Sequence, residues 1–127
     1  MGLINDFNRT RLYYAAHKAT KKGNYHKTIE RYTELIENVT NNNEQLSDAY
    51  MCRAITYYKD LKDYKSAILD LNKAIELSPK NDEHLAKRAL VFTICGEKQS
   101  ALNDIKKSLE INPNNTIAQN LLKQVKD

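Results

Sequence analysis

Apolar residues recur at helical spacing along this chain, in blocks that come in pairs. Tyr50, Ala54, Tyr57 and Tyr58 form one block, and Tyr64, Ala67, Ile68, Leu71, Ala74, Ile75 and Leu77 form the next. Such a pair predicts a helical hairpin. Residues 64–79 then return 34 positions later as 98–113, setting Ala67 against Ala101, Glu76 against Glu110 and Pro79 against Pro113. Upstream the offset is 35, with Tyr50, Arg53, Ala54 and Tyr57 answering to Leu85, Arg88, Ala89 and Phe92. The difference places one extra residue in the turn from Asp60 to Asp63, where an insertion is tolerated.

A more diverged copy opens the chain. Leu12, Ala15, Ala16 and Ala19 precede Gly23, and Ile29, Leu35 and Ile36 follow it; Gly23 stands where Gly96 stands, and Thr28 replaces the small Ala67 and Ala101. No Pro closes this copy, so the Asn-rich stretch from Val39 to Gln45 reads as a longer, mobile link. Asn24, Asp63 and Asn81 are the predicted N-caps, and Pro79 and Pro113 end second helices. Helices of about 14 residues are marginal alone, so stability must come from stacking each hairpin on the next. Residues 116–126 carry Ile117, Leu121, Leu122 and Val125 on one side and mostly polar residues opposite, as expected of a helix that seals the stack.

Composition agrees. The 127 residues are 41% apolar with only 3 Gly and 2 Pro, which favours helices and one core. The amino terminus lacks the apolar run of a signal peptide, and no stretch is long and apolar enough for a membrane span, so a cytoplasmic protein without membrane contact is expected. The net charge of +4 is spread as +2 over residues 1–47, +1 over 48–81 and +1 over 82–127, with no basic block along the sequence. That spread argues against nucleic acid, although 8 tyrosines could stack on bases.

Catalysis needs convergent titratable groups, and the candidates are Cys52, Cys95, His17, His26 and His84. Only Cys52 and His17 are placed to face one another, and a small cysteine on an aromatic helix face is the simpler reading. No glycine-rich phosphate loop, HExxH, CxxC or EF-hand run occurs. No enzyme activity, cofactor or metal is expected.

A 34-residue helical hairpin with a large residue early in its first helix, a small one four later, an aromatic three beyond, then Ala and a closing Pro resembles the tetratricopeptide repeat. The resemblance implies an all-α, right-handed α-solenoid of three hairpins, with repeats at about 9–42, 47–80 and 82–115, a capping helix at about 116–126, and seven helices in one domain. It further implies a concave groove lined by the first helices, which holds a peptide or helix of a partner. The groove wall would then carry Tyr13, Tyr14, His17 and Lys21 from the first repeat. The second would supply Met51, Cys52, Ile55, Tyr58 and Lys59, and the third Lys87, Leu90, Thr93 and Ile94. Such a wall suits a partly apolar, amphipathic partner with an acidic flank, in an adaptor, scaffold or chaperone role; self-association through the same groove is the alternative, and an RNA-binding helical repeat a weaker one. One branch of the family clamps the carboxylate end of chaperone tails with two Lys, two Asn and one Arg. The matching positions here hold Tyr13, His17, Cys52, Glu83 and Lys87, so a tail held by that clamp is not expected. Arg53 and Arg88 are assigned a structural role beside the turn between helices.

Overall fold

The computed structural model describes residues 2–39 and 42–126. Among them are seven α-helices and no strand: α1 (Gly2–Lys21), α2 (Tyr25–Glu34), α3 (Asn43–Ile55), α4 (Tyr64–Leu77), α5 (Asp82–Ile94), α6 (Lys98–Ile111) and α7 (Thr116–Lys126). They pair as α1 with α2, α3 with α4 and α5 with α6; the second helix of each hairpin leans on the next hairpin, and α7 packs on both α5 and α6.

Local chemistry sets the ends. Asn24, Asp63 and Asn81 accept, through their side-chain oxygens, the backbone N–H groups of Lys27, Ser66 and His84, as expected of N-caps. Two further caps were not anticipated: Asn42 accepts from Gln45 at 2.8 Å and Asn115 from Ala118 at 2.9 Å. The first shortens the expected link, because Asn43–Gln45 belong to the opening turn of α3. Thr40 and Asn41, the middle of that link, lie outside the described residues, and with them that part of the expected mobility.

Gly23 (φ +75°) and Gly96 (φ +79°) take the left-handed conformation just before α2 and α6; in the middle hairpin Lys62 (φ +56°) takes it without being glycine. The extra residue of that hairpin is absorbed differently from expectation. α3 runs on into a wider, π-type turn, Thr56–Asp60, in which Leu61 donates to the carbonyl of Thr56. Asp63 N–H then reaches back to Tyr57, whereas Asn24 and Glu97 reach the equivalent Ala19 and Phe92 with one residue fewer between. Winding the surplus residue into the helix end keeps its amides bonded, which an enlarged loop would not.

The hairpins close on small residues. Ala16, Ala54, Ala67, Ala89 and Ala101 have no exposed surface. In the first hairpin Thr28 is equally buried, its hydroxyl satisfied by Thr20 Oγ1 at 2.9 Å. The face of the last hairpin that would otherwise be bare is covered by α7, whose Ala118, Leu121 and Val125 join Ala86, Ala89, Ala101 and Ile105 in one cluster. Asn115 ties this cap down by donating to Asp82 Oδ2 at 2.8 Å.

Arg53 and Arg88 do more than border a turn. Arg53 grips Asp70 of α4 with two bonds of 2.8 and 2.7 Å, and Arg88 grips Asp104 of α6 with two of 2.7 and 2.8 Å. Each guanidinium spends a further N–H on the preceding hairpin, at Thr33 of α2 and Asn72 of α4. One side chain thus clasps its own hairpin and joins it to the one before, by planar two-pronged bonding that lysine cannot supply. Asp70 is almost wholly buried, so Asp70→Ala leaves Arg53 without a counter-charge and should destabilise the fold by about 3 kcal/mol. Urea unfolding of Asp70→Ala, Arg53→Met and the double variant checks this: the double variant should be more stable than the sum of the single losses allows.

The concave face as candidate functional site

α1, α3 and α5 present equivalent positions to one side of the stack. Across them run Tyr14, Cys52 and Lys87 in one row, His17, Ile55 and Leu90 in the next, and Lys21, Lys59 and Ile94 in a third. Tyr14 (68% exposed) and Ile94 (49%) stand in solvent, and Met51, Ile55 and Leu90 are half-buried, leaning on the core while keeping accessible surface. His17, Lys21 and Lys59 are exposed and Lys87 half-buried.

Two assignments change. Tyr58 is only 8% exposed and packs with Ala54, Ala67, Leu71 and Val91, so it belongs to the core and not to the groove wall. Thr93 lines a separate hollow with Gly96, Lys98, Gln124 and Val125, beside α7. Tyr13 is half-buried and meets Tyr32 of α2 edge-on at 6.1 Å.

His17, Cys52, Ile55 and Lys59 do come together, around a hollow of about 170 Å³ that also takes in Thr20, Tyr32, Thr56 and Asp60. Tyr32 was missed because it sits on a second helix; its apolar spacing reads as core, and only the crossing of α2 over α3 turns it toward the groove. Burial pushes the Cys52 thiol up to about 11 and the Tyr32 phenol up to about 12, and raises Tyr13 as well. A protonated thiol is a weak nucleophile, so the His17 and Cys52 pair has no activated sulfur.

A second cluster has the residue types of a hydrolytic triad without its wiring. Ser47 Oγ donates to the carbonyl of Ala74 at 3.0 Å, which commits its only proton and makes it the acceptor of His84 Nε2–H. Asp48 lies 3.8 Å from that same nitrogen, and Nδ1 faces Met51 Sδ at 3.0 Å. The imidazole therefore donates to the serine where a general base would accept, and no carboxylate orients its other nitrogen. The cluster ties α3, α4 and α5 together beneath the groove.

Burial raises the Asp48 carboxyl despite neighbouring His84, and Glu83 stands where a clamp would have a cation.

A stack of helical hairpins sealed by a single terminal helix defines a helical-repeat solenoid, with its first helices on a common side. The tetratricopeptide repeat family model matches residues 48–81, so the chain carries that repeat in its second hairpin and folds as a tetratricopeptide-repeat solenoid. Similar solved structures include the first such domain of Spaghetti (RPAP3) bound to the HSP90 peptide SRMEEVD, with TM-score 0.79, 25% identity, and 94% of this chain covering 90% of that one. The first domain of human RPAP3 aligns with TM-score 0.79 and 26% identity, over 93% of this chain and 89% of that one. The TPR2B domain of yeast Sti1, solved as an Hsp70 complex, shares the fold at TM-score 0.77 and 22% identity, over 94% and 93% of the chains. No curated protein matches the sequence. Among the described residues no helix is long and apolar enough to cross a membrane.

His84 yields a pH prediction. Burial, outweighing Asp48 and Asp82, holds its imidazole below the usual range, so just under the ordinary value of 6.5 the unfolded chain binds more protons than the folded one. Stability is then fully present above 6.5 and lost as the pH falls through the lowered value. Thermal midpoints should drop between about pH 7.5 and about pH 5.5, and His84→Gln should flatten that drop. A wild-type midpoint that is level over this interval contradicts the neutral, buried histidine.

Proposed function

We propose that this module works noncovalently, holding a peptide or amphipathic helix of a partner protein against its concave face, in an adaptor, scaffold or chaperone-like role. The observation that carries the reading is the apolar stripe of Met51, Ile55, Leu90 and Ile94, left accessible along the face that tetratricopeptide-repeat solenoids turn inward, with Tyr14 at its edge. Lys21, Lys59 and Lys87 flank it and favour acidic residues beside the partner's apolar ones.

The relative bound to SRMEEVD shows a peptide with an acidic end held by such a domain. In this chain the five clamp positions are Tyr13, His17, Cys52, Glu83 and Lys87, and Asp48 adds a carboxylate nearby. A terminal carboxylate would meet one lysine and two acids, so recognition here rests on side-chain contact area with charge as a rim effect.

The test is capture from native extract by wild type and Ile55→Glu, washed at low and high salt. A protein retained by wild type at high salt and lost from Ile55→Glu supports the groove, provided the variant keeps its helicity and melts near the wild type. If Ile55→Glu unfolds, Ile55 is core; if retention ignores the substitution, the working surface lies elsewhere.

A further inference from the structure

The charge that is spread evenly along the sequence is not spread evenly in space. Between α1 and α2, on the end of the stack that no other hairpin covers among the described residues, lies a cavity of about 520 Å³. Its walls hold Arg11, Lys18, Lys22, Lys27 and Arg31 against a single acid, Glu34, and its floor is Ala15 and Ala19. Among the described residues only Arg31 of these five has a carboxylate partner, Glu34 at 3.3 Å.

The repeat itself says what shape belongs there. On the corresponding side of the second and third hairpins lies a helix, α2 against α3 and α4 against α5. The first hairpin also inverts the chemistry of the clasp. Where the others place Arg53 and Arg88 on the first helix, it has Ala15, which leaves the space open; where they place Asp70 and Asp104 on the second, it has Arg31. The guanidinium is on the second helix, and its carboxylate partner is Glu34 of the same helix and not a residue of α1. The lining runs from Arg11 to Lys22, along about three turns or about 15 Å of α1 and the residue after it.

We propose that this end face is a second docking surface, which takes an acidic α-helix of a partner protein in the seat that α2 and α4 fill on the following hairpins. The apolar floor of Ala15 and Ala19 gives that helix apolar contacts, and the five cations receive its carboxylates. A second copy of this chain does not fit, since the outer side of α7, the other end of the stack, offers Lys123 and Gln124 and no acid among the described residues. Phosphate backbones would use the cations and leave the apolar floor unused.

The probe is a fluorescein-labelled helical peptide of Glu, Leu and Ala with a row of Glu beside a row of Leu, titrated by anisotropy. Wild type should bind saturably, and Lys18→Glu/Lys27→Glu, both exposed positions, should bind about tenfold more weakly with an unchanged melt. Ile55→Glu in the groove should bind as wild type does, and a peptide with Lys for Glu should prefer the charge-reversed variant. No saturation, equal binding by the charge-reversed variant, loss in Ile55→Glu, or tighter binding of single-stranded DNA than of the peptide would each overturn the proposal. A dimer in light scattering that the charge reversal abolishes would also overturn it, by assigning the face to a second copy.

Discussion

Two α-helices approach most closely where neither carries a long side chain, and here those places are Ala16, Ala54, Ala67, Ala89 and Ala101, none with any exposed surface. This constraint fixes how tightly each hairpin closes, and so how far the next is rotated on it. A larger side chain at any of them would splay a hairpin and tilt everything stacked beyond it, because a packed interior has no spare volume to absorb the change. The concave face is a consequence: it is the side of the first helices left over once their small residues are committed to their partners.

On that scaffold the arginine clasps act as a second, directional restraint. Apolar packing resists separation but resists sliding poorly, whereas two parallel N–H···O bonds define both angle and register. Arg53 and Arg88 also reach the previous hairpin, so the restraint is passed along the stack. The first hairpin carries Ala15 where the others carry the clasp arginine, and the same small residue opens the cationic cavity. Structure and charge at that end have one cause.

Much of this was legible in the sequence, for a physical reason: repetition reports stacking, and small residues at fixed spacing report helix crossing. Asn24, Asp63 and Asn81 could be read as caps because capping depends only on residues three apart. The clasps could have been read too, since Asp70 and Asp104 recur with the repeat 16 or 17 residues after their arginines, but nothing local marks an acid as paired. Three things were out of reach. The π-type turn at Thr56–Asp60 depends on how an insertion is shared between helix and loop. The approach of Tyr32 to the groove depends on the crossing of two helices. The gathering of Arg11, Lys18, Lys22, Lys27 and Arg31 depends on the folding of α2 against α1, which no segment-by-segment charge sum contains.

The groove is apolar at its middle and has Tyr13, His17, Cys52 and Glu83 beside a single lysine, Lys87, at the five clamp positions, so it should read the side chains of a ligand and be indifferent to a terminal carboxylate. The most direct test is to titrate the isotope-labelled protein with SRMEEVD and with the same peptide amidated at its end, following the backbone signals of Tyr13, His17, Cys52 and Lys87 by NMR. Equally weak binding of the two peptides is expected. Saturable shifts at those residues, with the free carboxylate bound about tenfold or more tightly than the amide, would contradict it.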